Sequence, residues 1–108
     1  MSDLSPVRGG IYTYQGIRRS DFVVVSINAL NDAGTVIVCE VSDRAPGDVR
    51  GLLAVELNEK DPSPGRWVLC WRVNYASADR FEMPGHGVVS DETMGKVVAG
   101  LRSAIEPL

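Results

Sequence analysis

Short runs of β-branched and aromatic residues, each closed by glycine, proline or asparagine, fill most of the chain. Such runs read as strands. The first is Ile11–Tyr14, bracketed by glycines in "GGIYTYQG". The second is Phe22–Ile27 in "DFVVVSI", and the turn-rich "NALNDAG" after it has room for one helical turn. Thr35–Ser42 is the third and Leu52–Leu57 the fourth, separated by the polar loop "DRAPGDVRG". A second loop, "NEKDPSPGR", leads to the fifth, Trp67–Val73. A shorter extended piece lies around Arg80–Glu82, and residues 1–8 read as a loose tail.

At Ser90 the period changes. Met94, Val97, Val98, Leu101 and Ile105 recur at helical spacing and form one apolar stripe. Ser90 suits the N-cap, and Asp91 and Glu92 suit the positive end of the helix dipole. Gly95 and Gly100 each weaken that helix by about 1 kcal/mol relative to alanine, so it needs tertiary packing. The expected architecture is mainly β with α: a small barrel or strongly curled sheet, with a final helix over one opening or edge. The whole chain, 1–108, is expected to be one domain.

Composition changes this picture little. Apolar content of 44% and charged content of 23% are ordinary for a globular chain. A net charge of -3 argues against a wholly basic nucleic-acid binder but permits a local basic patch. Nine arginines against two lysines hint at planar grips on phosphate or carboxylate. No stretch is long enough to span a bilayer and the N-terminus lacks a signal-peptide core, so a cytoplasmic protein is expected. Cys39 and Cys70 sit in apolar runs and are expected to be buried hydrophobes; with one histidine they make no zinc set.

The order of elements and several local motifs resemble the MazF/PemK (Kid) family of toxin ribonucleases, from Arg8 to Ile105. "RGGIY" looks like the family opening Arg-Gly-x-Ile/Val-Trp/Tyr, and "RRSDFVVVSINALN" like its Arg-Pro, apolar run and Asn segment. "GTVIVCEVSD" resembles the strand ending in Thr or Ser, and "WVLCWRVNYASADRF" the strand carrying Cys-Asp-Gln. "VVSDETMGKVVAGLRSAI" resembles the family ending most closely. The resemblance implies an SH3-like β-barrel of five to seven strands with a C-terminal helix, usually a homodimer. It implies metal-independent, sequence-specific cleavage of single-stranded RNA by 2′-hydroxyl attack, no cofactor, and a cognate antitoxin covering the active groove. Arg-Pro is replaced by Arg19-Ser20, with a one-residue ambiguity toward Arg18 or Ser20, and Trp71 stands where the family has Asp. A non-catalytic barrel binding protein or nucleic acid, or a gyrase-directed toxin of the same fold, therefore remains as the alternative.

Attack by the 2′-hydroxyl needs a base, an acid and donors for the phosphorane charge. Arg19 fits the donor role through a bidentate grip and the base role poorly, because guanidinium keeps its proton. The resemblance assigns Ser42 a catalytic hydroxyl; alone it would read as a turn serine before Asp43, itself a turn cap or a base. Arg18, Arg44, Arg72 and Arg80 are candidates for phosphate contacts, and Tyr14 for stacking on a base, with Tyr12 and Tyr75 as further aromatics. His86 is the sole histidine, between two glycines; imidazole exchanges protons near neutral pH, but one loop histidine without a motif is more often incidental.

Trp67, Leu69, Trp71 and Val73 alternate with Val68 and Cys70, so the fifth strand is apolar on both faces. One small barrel has one interior, and the second face must meet the helix or another subunit. We expect an isologous homodimer. Light scattering at micromolar concentration checks this, and a monomer mass counts against it.

Overall fold

The computed structural model, which describes residues 5–16 and 18–105, gathers the β-rich runs into one curled, six-stranded antiparallel sheet, a half-barrel. The strands are β1 (Gly10–Gln15), β2 (Arg19–Val24), β3 (Thr35–Ser42), β4 (Ala54–Glu56), β5 (Trp67–Ser77) and β6 (Gly87–Val88). Their order across the sheet is β4-β5-β3-β2-β1-β6. A short helix, α1 (Asn28–Asp32), joins β2 to β3, and α2 (Asp91–Ile105) follows β6.

Several boundaries differ from the sequence expectation, each for a local reason. β2 begins at Arg19, three residues before Phe22, because Gln15 and Arg19 pair at the end of the β1–β2 hairpin. It ends at Val24, where the amides of Val25 and Ser26 both turn to the Ile37 carbonyl. The expected strand from Leu52 is shortened to Ala54–Glu56, because Asp48 accepts from the Arg50 amide and winds Val49–Leu53 into a 3-10 turn. β5 runs on to Ser77, and Ala78–Arg80 is a second 3-10 turn rather than extended chain. Phe81 then makes a single bridge to Tyr14.

β3 and β5 carry the largest irregularity. Thr35 to Cys39 pair with Ser77 to Val73, but Glu40 pairs with Leu69. Cys70, Trp71 and Arg72 therefore bulge between two paired halves of β5. A bulge bends its strand, and an odd number of extra residues exchanges the faces that alternate side chains occupy. Val68 and Cys70 point into the core under α2, together with Ile11, Val23, Cys39, Val41 and Val97. Beyond the bulge, Ala76 packs into a second cluster on the opposite face, with Tyr12, Val24, Val36, Val38 and Phe81. β5 thus gives Val68 and Cys70 to one core and Ala76 to the other; Trp67, Leu69 and Trp71 belong to neither, and Val73 and Tyr75 stay exposed.

Ser90 caps α2, accepting from the Thr93 amide at 3.2 Å. Asp61 ties this end of the helix to the loop after β4. It accepts from the amides of Ser90 (2.8 Å) and Asn58 (2.9 Å) and from the Thr93 hydroxyl (2.7 Å). Burial pushes the Asp61 carboxyl up, yet these donors hold it below its ordinary value. Cys39 and Cys70 are free and buried, and burial pushes their thiols up to about 12 and about 11.

At Gly100 α2 lies close against the sheet: an added Cβ would sit 2.7 Å from the Cys70 sulfur, whereas Gly95 has open space around it. Gly95→Ala should stabilise the fold by up to about 1 kcal/mol through helix propensity. Gly100→Ala gains the same propensity but overpacks a close contact, typically costing about 1–3 kcal/mol. Thermal unfolding of the two variants should show a raised midpoint for Gly95→Ala and an unchanged or lowered one for Gly100→Ala.

Candidate active site

Along β1 and β2 the side chains facing α2 change from apolar to polar. Ile11 lies opposite Val23, and the next pair on the same face is Thr13 opposite Asp21. The Thr13 hydroxyl donates to Asp21 Oδ1 at 2.6 Å. Arg66 approaches from the loop before β5 and donates Nη1–H to Asp21 Oδ2 at 2.7 Å. That loop is pinned by the Leu57 amide on the Arg66 carbonyl (2.8 Å) and the Gly65 amide on the Leu57 carbonyl (2.9 Å). His86 comes from the segment between Phe81 and β6, with Nε2 at 2.9 Å from Thr13 Oγ1 and 3.7 Å from Asp21 Oδ1. Its amide donates to the Ile11 carbonyl at 2.8 Å, and the Glu82 amide donates to the Thr13 carbonyl at 2.8 Å. Gly85 lies against the Tyr12 ring, where an added Cβ would fall 2.5 Å away. The imidazole is therefore carried by a segment fastened to β1 on both sides.

These groups line a cleft of about 470 Å3, completed by Arg19, Ser20, Glu40, Val41 and Asp43. Arg66 and Asp21 are largely shielded, with side chains 23% and 20% exposed. Burial pushes the Asp21 carboxyl up, but the Thr13 hydroxyl, the Arg66 guanidinium and the nearby His86 together hold it below its ordinary value of 3.8. Arg66 Nε is 2.8 Å from Asp43 Oδ1, an ion-pair contact without hydrogen-bond geometry, so its buried proton has no acceptor. The Asp43 side chain is 83% exposed. A larger groove of about 1010 Å3, between residues 52–60 and α2, is lined by Glu56, Glu59, Lys60, Glu92 and Lys96, which form no ion pair with one another among the described residues.

The residues singled out from the sequence are distributed unevenly around this cleft. Arg19 lines it, with its guanidinium held by Glu82 at 2.7 Å. Ser42 does not line it: its hydroxyl donates to the Arg44 carbonyl and accepts from the Arg44 amide, both at 3.1 Å. The structure therefore does not bring Arg19 and Ser42 into one cavity. Arg18, Arg44 and Arg80 are exposed outside the cleft, and Arg72 pairs with Glu40 at 2.8 Å. Tyr14 is on the opposite face of β1 from Thr13, packed edge-on against Phe22 and Phe81. Sequence reasoning passed over Thr13, Asp21 and Arg66, and set His86 aside. The available signal was parity: Thr13 and Asp21 continue the inward positions of Ile11 and Val23, where polar side chains need a partner.

Residues 2–105 match the model of the PemK-like, MazF-like toxins of type II toxin–antitoxin systems. Among solved structures, an endoribonuclease in complex with its cognate antitoxin from a mycobacterial species superimposes with a TM-score of 0.83 at 23% identity, covering 96% of this chain and 99% of that one. MazF in a MazE–MazF crystal from Deinococcus radiodurans gives 0.79 at 21% identity, covering 96% and 98%. The Mycobacterium tuberculosis toxin MazF-mt6 gives 0.74 at 10% identity, covering 88% and 94%. No curated protein sequence matches the chain.

Because the native Asp21 carboxyl lies below 3.8, its contribution to stability is complete above that value and is lost as pH falls through the lower native value. Asp21→Asn should be less stable than the unsubstituted chain near neutral pH by about 1.5–3 kcal/mol, the range for hydrogen bonds to charged groups. Denaturant titrations at several pH values should show that gap closing in acid.

Proposed function

Since the chain belongs to the PemK-like, MazF-like toxins of type II toxin–antitoxin systems, an endoribonuclease family, we propose that the Thr13–Asp21–Arg66–His86 cleft is where it cleaves single-stranded RNA. The carrying observation is that two guanidiniums, Arg19 and Arg66, border one cleft with an imidazole. The nucleophile is the substrate's own 2′-hydroxyl, so the reaction needs no metal and no cofactor. What the protein must supply is grip on the phosphate and proton transfer.

Both guanidiniums are held by carboxylates: Glu82 on Arg19, and Asp21 and Asp43 on Arg66. An entering phosphate takes the places of Glu82 and Asp43, and Asp21 stays behind to keep Arg66 in position. The unpartnered Nε proton of Arg66 gains an acceptor in that exchange. Arg18, Arg44, Arg72 and Arg80 give the flanking backbone charges to follow, and Ser42 acts from the rim. A cognate antitoxin covers the same cleft. Two copies of the chain form a dimer, supported by the exposed Leu52 and Ile105 and by the open groove between residues 52–60 and α2. Among the described residues no helix is long and apolar enough to cross a membrane, and we place the reaction in the cytoplasm, where RNA is.

Purified protein should cleave long single-stranded RNA in EDTA, leaving 2′,3′-cyclic phosphate ends. Arg19→Ala should slow cleavage by roughly two to three orders of magnitude, the usual cost of a lost charge-stabilising donor. Its thermal midpoint should barely move, because the Arg19 side chain is 71% exposed. Ser42→Ala should cost less, and Arg18→Ala should weaken RNA binding in a salt-dependent way. RNA left intact at a large excess of protein would overturn the nuclease reading in favour of a non-catalytic barrel.

A further inference from the structure

The hydrogen bonds around Thr13 decide which nitrogen of a neutral His86 ring carries the proton. A threonine hydroxyl has one proton. Thr13 Oγ1 lies 2.6 Å from Asp21 Oδ1, and a carboxylate at that distance accepts. The proton is therefore committed to Asp21, and Oγ1 turns only lone pairs toward His86. His86 Nε2, 2.9 Å away, must be the donor. The neutral ring then carries its lone pair on Nδ1, which makes no hydrogen bond among the described residues. The reverse tautomer would put two proton-less oxygens at 2.6 Å or leave Nε2 facing Oγ1 lone pair to lone pair.

The other titratable and charged groups around the ring are already engaged. Asp21 is occupied at both oxygens, by Thr13 and Arg66. Glu40 pairs with Arg72; Asp43 and Glu82, paired with Arg66 and Arg19 until a phosphate enters, are carboxylates, and a carboxylate is a weaker base than imidazole. Arg19 and Arg66 keep their protons at any working pH. His86, with a side chain 46% exposed at the cleft, therefore offers the strongest open proton acceptor among the described groups around it.

We infer that His86 is the general base of RNA cleavage, with Thr13 and Asp21 as the positioning residues that hold its Nε2–H. This rests on the cleft being the nuclease site. Nδ1 takes the proton of the 2′-hydroxyl as the 2′-oxygen lone pair forms the new bond to phosphorus. The P–O5′ bond breaks, its electron pair leaves with the 5′-oxygen, and that oxygen takes a proton from water. Imidazolium is stabilised through Thr13 by the Asp21 carboxylate, the part an aspartate plays behind a catalytic histidine elsewhere. The imidazolium then returns its proton to water.

The test compares the unsubstituted protein with His86→Ala and His86→Gln on single-stranded RNA in EDTA across pH, with binding of uncleavable 2′-O-methyl RNA measured alongside. Glutamine keeps an amide N–H for Thr13 but has no proton-accepting nitrogen. Both variants should bind the analogue normally and cleave about 10²–10⁴-fold more slowly, the usual contribution of a positioned base. Both should lose the rise in rate with pH that a general base gives, and free imidazole should restore part of the rate of His86→Ala. If either variant cleaves at the unsubstituted rate, His86 is not the base while the nuclease reading stands. If the glutamine variant alone recovers, His86 only supports the fold of the loop, and the inference fails. If the unsubstituted protein binds the analogue and leaves RNA intact, both readings fall together.

Discussion

Three residues of β5 with no partner in β3, Cys70–Arg72, are the constraint on which the sheet depends. Without them the strand would keep one set of side chains on one face along its whole length. With them, Val68 and Cys70 lie under α2 while Ala76 reaches the opposite cluster. The bulged Arg72 also meets Glu40, 2.8 Å away, across the irregularity. The sheet curls at this point, and α2 comes close enough to need Gly100 at the contact with Cys70.

The cleft is a continuation of the same core rather than a separate construction. Ile11 and Val23 are fully buried, and one step along the same face Thr13 and Asp21 replace them. A carboxylate there is tolerable because it is answered from three chain segments, by Thr13, Arg66 and His86. The result is a patch with no net excess of basic charge. The cleft guanidiniums are paired with carboxylates, which fits a chain that is acidic overall yet rich in arginine.

The strands and the final helix were legible because their apolar residues follow the periods of two and 3.6 that those structures impose. The 3-10 turn at Val49–Leu53 was not, because the apolar "LLAVEL" run masks the Asp48 cap just before it. The site was legible only in part. Arg19 stands at a strand mouth and attracts notice in the sequence. Arg66 hides in a proline-rich loop, and its relation to Asp21 spans 45 residues, so only the three-dimensional path joins them. His86 acquires meaning from Thr13, 73 residues away. Register between β1 and β2 sets Thr13 opposite Asp21, and the segments carrying Arg66 and His86 then close on that pair.

The sealed thiols have a practical consequence. Reagents attack thiolates, and both native cysteines are buried with their thiols held far above neutral, so they stay unreactive while the protein is folded. A cysteine introduced on the surface would be the one accessible thiol for a maleimide. The chain can then carry a single fluorophore or spin label at any chosen rim position without first removing its own sulfur atoms. Labelling that spreads to Cys39 or Cys70 would itself signal that α2 has lifted from the sheet.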